Sequence, residues 1–333
     1  MILVDATYVN TGGGRSLLRG LLGRLRDVPD LAVLRDPRLP ESDVEGLPAV
    51  FVASGEAGRR AFYAGRGPGI RRVLCFGNVP PPVRLSAEVG VYFHNMALLR
   101  GPAASPVSWL KMAYVAWRAG HADFFLVQSG LVRAALAARL PSRTRVLVAP
   151  FFAVSPPPAV DFQDAARWSR FAYVSDAYPH KNHARLLEAW SILAARGQFP
   201  ELHLTVYGPY PGALARIARA REAGLRVVNH GYVRPTELYE ACGYQVYPSL
   251  MESFGLGLVE AAGSGCAIIA SDLPYVREVV EPHGSFDPGS SASIADVVGR
   301  FVGRPSTPSA IRTRSRLDDI VAWLRDGRRE ALG

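Results

Sequence analysis

Short apolar runs alternate with helix-like runs along most of this chain, and few folds accept that rhythm. Residues 2–5, 31–35, 49–53, 72–76, 89–93, 124–128 and 145–149 are brief and rich in Val, Leu and Phe. Between several of them lie helical patterns, such as residues 15–26 and 109–119. The alternation then resumes, with strands expected at 171–175, 202–207, 226–229, 245–248 and 266–270. Helices are expected at 184–196, 212–222 and 235–242, and from Leu256 onward. This order predicts an α/β protein built on mainly parallel sheets with helices on both faces.

A proline run divides the pattern. Pro156, Pro157 and Pro158 follow the strand at 145–149 and read as part of a stiff, extended linker. At 333 residues the chain is long enough for two domains with separate cores. The expected division is a first Rossmann-like domain at 1–150, a linker at 151–166, a second Rossmann-like domain at 167–305 and a C-terminal segment at 306–333. Two such halves imply a deep cleft, where ligands preferentially bind. Two helical patterns after Ser291 close the chain. A hydrophobic content of 49% against 20% charged residues describes a globular protein, not a disordered one. No apolar run approaches the roughly 20 residues of a membrane span, and no signal-peptide pattern precedes the first strand. Cys75, Cys242 and Cys266 are scattered in apolar contexts and read as buried thiols, so a cytoplasmic location is expected.

The charge is unevenly placed. Residues 1–150 hold 19 Lys and Arg against 10 Asp and Glu, a net +9, while residues 151–333 hold 19 of each and balance. An excess of this kind attracts something anionic, such as a phosphorylated ligand, a charged lipid, an anionic membrane face or nucleic acid, and basicity alone does not choose among them.

The stretch from Pro248 to Asp272, PSLMESFGLGLVEAAGSGCAIIASD, carries the most chemistry. Residues 249–255 read as a strand end and loop, and 256–262 as the first turns of a helix. The N–H groups of Phe254, Gly255 and Leu256 then stand at a helix N-terminus, where unpaired donors and the macrodipole favour an anion. Glu252 precedes this nest by two residues. Glu260 lies eight residues beyond Glu252, a spacing that helical periodicity returns to about the same face.

The pattern Glu, seven residues, Glu resembles the signature of retaining, nucleotide-sugar-dependent glycosyltransferases of the GT-B fold, the family 4 or group 1 type. The match extends through Glu-Ser-Phe-Gly-Leu and Glu-Ala-Ala-Gly-Ser-Gly-Cys. His180-Lys181-Asn182, ahead of the helix at 184–196, is similar to the family's lysine motif. The resemblance is good over residues 168–285 and only architectural before them. It implies two Rossmann-like domains facing each other across a cleft, with the last helix returning to the first domain. It implies sugar transfer from a nucleoside diphosphate sugar to an acceptor hydroxyl with retention of configuration, in bacterial surface polysaccharide or glycolipid assembly. Under it, Glu252 and Ser253 meet the donor sugar, Glu260 holds the ribose hydroxyls, and Phe254, Gly255 and Leu256 hold the diphosphate through their amides. Lys181 neutralises the departing diphosphate. Relatives usually carry an arginine five residues before this lysine, where this chain has Asp176. The resemblance also implies no cofactor and no metal, and the chain contains no Asp-x-Asp triplet or clustered His and Cys ligands.

Three other places have the chemistry of a site. The run Asn10-Thr11-Gly12-Gly13-Gly14 separates the first strand from a helix and lets a ligand approach the backbone closely, although a plain tight turn explains it too. It resembles the family's first-domain glycine loop, which assigns Gly12 and Gly13 to donor contact. His94 and Asn95 end an apolar strand, where side chains point into the crevice of a parallel sheet. The family often has a histidine near the reacting sugar, and His94 takes that role beside a capping alternative. Gly231-Tyr232-Val233 follows a strand, and Tyr232 and Val233 would border the base, although turn chemistry alone also explains the glycine. Finally, Trp109, Lys111, Tyr114, Trp117 and Arg118 interleave aromatics and cations on one helix, which reads either as core or as a membrane-surface helix.

The expected partners are therefore a nucleotide sugar, a saccharide or lipid-linked acceptor and an anionic membrane face touched peripherally. Two rivals stand beside this reading: an epimerase or phosphorylase on the same scaffold, and a non-catalytic basic protein that binds nucleic acid. No nucleic-acid-binding module is visible, so nucleic acid is not an expected partner.

Overall fold

The computed structural model describes residues 1–9, 12–99, 105–153 and 160–332. Two compact units emerge, one formed by Met1–Ala153 with Arg314–Gly333 and the other by Val154–Thr313. Pro156, Pro157 and Pro158, on which the linker expectation rests, lie outside the described residues.

The first unit is a seven-stranded parallel sheet. In chain order its elements are β1 (Ile2–Ala6), α1 (Gly12–Leu25), β2 (Leu31–Arg35), β3 (Val50–Val52), α2 (Gly55–Arg66), β4 (Arg72–Cys75), β5 (Glu88–Phe93), α3 (Pro106–Arg118), β6 (Phe124–Val127), α4 (Gly130–Ala137) and β7 (Val146–Val148). The strands lie in the order β3-β2-β1-β4-β5-β6-β7, all parallel. β1 and β2 are buried at every residue, as strands covered on both faces must be. One core joins Tyr63 of α2, Met112 and Val115 of α3, and Val132 and Leu136 of α4 to Leu3, Val73, Val91 and Phe125 of the sheet.

The second unit repeats the plan with six strands. Its elements are β8 (Arg170–Tyr173), α5 (His183–Ala195), β9 (Glu201–Leu204), α6 (Pro211–Glu222), β10 (Val227–Asn229), α7 (Pro235–Ala241), β11 (Tyr244–Tyr247), α8 (Leu256–Gly263), β12 (Ala267–Ser271), α9 (Pro274–Val279), β13 (Gly284–Phe286) and α10 (Ser291–Gly299). The order is β10-β9-β8-β11-β12-β13, again all parallel. Phe171 stacks on Tyr244 at 4.9 Å between ring centroids and meets Trp190 of α5 edge-on.

In each sheet the strand order reverses once, between β1 and β4 in the first and between β8 and β11 in the second. Connections leave such a pair in opposite directions, so a crevice opens at the carboxyl ends of those strands.

The last helix, α11 (Leu317–Asp326), packs in the first unit. Its Trp323 meets Phe124 edge-on at 5.0 Å and donates from Nε1 to Glu88 at 2.9 Å. Gly90 of β5 makes room for both rings, since a Cβ there would lie 2.8 Å from Phe124 and 2.9 Å from Trp323. Arg72 donates to the Leu324 carbonyl, which helps hold the end of α11.

Three local expectations need correction. Gly12, Gly13 and Gly14 form the opening turn of α1 instead of a loop ahead of it, and Asn10 and Thr11 lie outside the described residues. The helices α2 and α4 exceed the sequence expectation, because the buried side of α2 carries Arg59 beside Tyr63 and so lacks an apolar stripe. Helical phase cannot relate Glu252 to Glu260, because α8 begins only at Leu256, after Gly255 adopts φ 91°.

Candidate active site

The reversal between β8 and β11 brings the loop after one strand against the loop after the other. Past β8 the chain makes a short 3-10 turn, Pro179–Lys181, and then enters left-handed backbone at Asn182, φ 63°. Asparagine tolerates that conformation, and here its buried carboxamide is fully used. Its Nδ2 donates to the carbonyls of Pro248 at 3.1 Å and Pro288 at 2.8 Å, while its Oδ1 accepts from Arg185 at 3.2 Å. The Leu250 amide donates to the His180 carbonyl at 2.8 Å, and the Tyr173 hydroxyl donates to the Lys181 carbonyl at 2.9 Å. These bonds fix the backbone on both sides of Lys181.

Thus anchored, Lys181 places Nζ 2.6 Å from Oε1 of Glu252, with both side chains largely buried. Tyr247 donates to the same oxygen at 3.1 Å. Burial raises the Tyr247 hydroxyl pKa well above its ordinary value, and the charge of Glu252 adds to that effect. Tyr247 therefore stays a neutral donor. The segment carrying Glu252 is pinned as well: Tyr275 and Ser271 donate to the Ser249 carbonyl at 2.8 and 3.0 Å. His183, next along the chain, is pushed down to about pKa 4, first by burial and then by the Lys181 charge. Its imidazole is neutral at physiological pH.

Glu252 leads through Ser253 and Phe254 to the left-handed Gly255 and the amino end of α8. Phe254 is buried. A side chain on Gly255 would be strained by its φ and would press on Leu258 at 2.9 Å. Glu260 is partly exposed on α8, and its charge is among the causes that raise the pKa of buried Tyr239, after desolvation. Structure thus brings Lys181 to Glu252.

Beyond the neighbouring strands stands a group of tyrosines. Tyr232 is 68% exposed and meets Tyr207 edge-on at 5.2 Å, and Val233 follows in the turn made by Gly231 at φ 65°. Tyr178 stacks on His180 at 5.9 Å and meets Tyr210 edge-on at 5.4 Å. Desolvation raises the Tyr210 pKa, helped by Tyr178 and by the charge of Asp176.

In the first unit His94 directly follows β5. Its amide and that of Asn95 both donate to Oδ1 of Asn78, at 2.7 and 3.0 Å. Asn78 itself has φ 68° in the loop that follows β4, a strand on the reversal. The His94 ring lies near Phe76 and Tyr92, and a Cβ on Gly14 would come within 2.9 Å of its Nε2. The glycine run thus has a packing role at Gly14, whereas a Cβ at Gly13 would meet nothing within 4 Å. Burial lowers the His94 pKa to about 4, against a smaller opposing effect of the Tyr92 backbone. Among the described residues no group of three His, Cys, Asp or Glu side chains could hold a metal ion.

Asn78, Asn182 and Tyr247 were not singled out by sequence reasoning. Asn182 sat inside the lysine motif, and Asn78 follows Gly77, where a Cβ would strike the Thr7 carbonyl. Asparagine at a turn, directly before a helix at Asn182 and directly after Gly77 at Asn78, is the signal that was available for both.

Residues 169–318 match the family model described as Glycosyl transferases group 1. A segment is 34% identical over 109 residues to the serotype-specific mannosyltransferase WbdA of Escherichia coli, 31% of this chain and 13% of that protein. The O-antigen chain mannosyltransferase B of Escherichia coli is 31% identical over 125 residues, 35% of this chain and 32% of the relative. This chain thus spans a third or less of the length of either relative. Among solved structures, Anabaena HepE in complex with UDP and glucose superimposes with a TM-score of 0.68 at 15% identity, covering 98% of this chain and 96% of HepE. Residues 169–318 thus resemble the group 1 glycosyl transferases, and the two parallel sheets have the GT-B fold.

Proposed function

We propose that this chain moves a hexosyl group from a nucleoside diphosphate sugar to an acceptor hydroxyl, with retention of configuration, in the assembly of a bacterial surface polysaccharide or glycolipid. The observation that carries the proposal is the Lys181–Glu252 pair, held beside the amino end of α8 at the strand reversal. The diphosphate lies against the Phe254, Gly255 and Leu256 amides, and Lys181 turns from Glu252 toward the phosphate oxygens. Glu252, released from the ammonium but still bonded to Tyr247, then accepts hydrogen bonds from donor sugar hydroxyls. The bond from the anomeric carbon to the phosphate oxygen breaks, and its electron pair goes to the diphosphate. The acceptor oxygen bonds to the anomeric carbon, and its proton leaves toward the diphosphate.

In this reading Glu260 holds the ribose, Tyr232 and Val233 border the base, and Gly12 and Gly13 flank the sugar phosphate. His94, neutral because buried, hydrogen-bonds the sugar or acceptor. Phosphate charge is met by Lys181 and backbone amides without a metal or other cofactor. The mannosyltransferase relatives support a polysaccharide product, and the UDP and glucose bound to HepE support a nucleotide-sugar donor. A lipid-linked acceptor would place the protein peripherally on the inner face of the cytoplasmic membrane, and the +9 charge of residues 1–150 suits that surface.

The test is nucleotide release from UDP- and GDP-linked hexoses, with and without saccharide acceptors. Lys181→Ala should lower turnover by about 2–4 kcal/mol in transition-state terms, roughly 30- to 1000-fold, with little change in melting. Near-normal turnover in that variant would remove Lys181 from the mechanism.

A further inference from the structure

Helix α3 is apolar on its outward side as well as on its inward one. Met112 and Val115 enter the core, yet Val107, Trp109, Leu110 and Trp117 are 62%, 49%, 60% and 68% exposed. On a wheel of 100° per residue these four side chains fall within an arc of about 160°, facing away from the core. Lys111 and Arg118 lie at one margin of that arc, and the Arg118 guanidinium sits 4.0 Å from the centroid of the Trp117 ring. A helix on the outside of a globular protein ordinarily turns polar residues outward.

We infer that this face of α3 is the element that docks on a bilayer containing anionic lipid. The inference rests on the peripheral-membrane part of the proposed function and assigns it to particular side chains. Tryptophan, leucine and valine would enter the headgroup boundary, where an indole ring is at home, while Lys111 and Arg118 stay at headgroup level. Charge selects this partner over a second copy of the chain. The cations at the margin of this face are Lys111 and Arg118, so joining two copies through it would bring like charges together. An anionic bilayer complements the stripe and its cationic margin at once.

Vesicles of phosphatidylglycerol and phosphatidylcholine, compared with phosphatidylcholine alone, test the assignment without donor or acceptor. The protein has five tryptophans, and Trp168, Trp190 and Trp323 are buried. Lipids brominated on their acyl chains should therefore quench only Trp109 and Trp117. The variant W109S/W117S should bind vesicles about tenfold more weakly or worse, and K111E/R118E should lose the preference for phosphatidylglycerol. Trp109 and Trp117 are on the outward side of α3 with Lys111 and Arg118 at its margin, and an unchanged melting curve verifies that each variant folds. Absence of binding to anionic vesicles at low salt would overturn the inference, as would undiminished binding by W109S/W117S. A lipid-free dimer broken by W109S/W117S would overturn it too, by giving the face to a second copy. A failure of the transferase reading would leave vesicle binding intact and abolish nucleotide-dependent melting shifts, so the two failures are separable.

Discussion

At the residue scale, the second unit keeps a titratable ring neutral beside its cation. His183 packs on Tyr173 at 4.9 Å between ring centroids, and burial with the Lys181 charge lowers its pKa to about 4. Unfolded, the same imidazole takes up its proton near pH 6.5. Between these values the unfolded state binds more protons, so stability falls as pH drops from about 6.5 toward 4 and stops falling below that. The stability lost across this window is at most roughly 3.4 kcal/mol. His183→Phe should flatten this part of the profile, read as the urea midpoint against pH for both proteins. Parallel curves for the two would show that the imidazole is not held neutral.

At the scale of elements, α11 depends on a glycine far away in sequence. Gly90 of β5 leaves room for Phe124 and Trp323, and those rings seat α11 beside the bond from Trp323 to Glu88. Gly90→Ala should cost about 1–3 kcal/mol by overpacking. The amides of α11 should lose hydrogen-exchange protection first, because they pack directly on the displaced rings. An unchanged melting temperature with full protection in α11 would mean that the rings yield without cost.

For the whole molecule, the two units have separate cores, so unfolding need not be a single two-state event. A nucleoside diphosphate at about 100 times its dissociation constant should stabilise the second unit by about 2.7 kcal/mol, because it binds only folded protein. Thermal melting with UDP, GDP, ADP and dTDP reads this shift, which should survive EDTA. A shift for none of them at millimolar concentration would sink the proposed donor site. A shift abolished by EDTA and restored by a divalent ion would replace Lys181 and the backbone amides with a metal.

How much of this was legible in the sequence follows from the range of each interaction. Strand and helix alternation, the helix after Gly255 and the lysine motif ahead of α5 are written in neighbouring residues, so local periodicity and turn chemistry reveal them. α2 escaped because its inward side carries Arg59, which becomes buried only through Asp5, 54 positions away, at 2.8 Å. The choice of Lys181 and Glu252 was visible as two motifs, but their meeting was not. Seventy-one positions separate them, and they touch only because the sheet order reverses between β8 and β11. Asn78 and Asn182 read as ordinary turn residues until tertiary structure supplies the amides and carbonyls they bind. The outward face of α3 is the reverse case: sequence listed its aromatics and cations, and only packing against the sheet decided which of them remain outside.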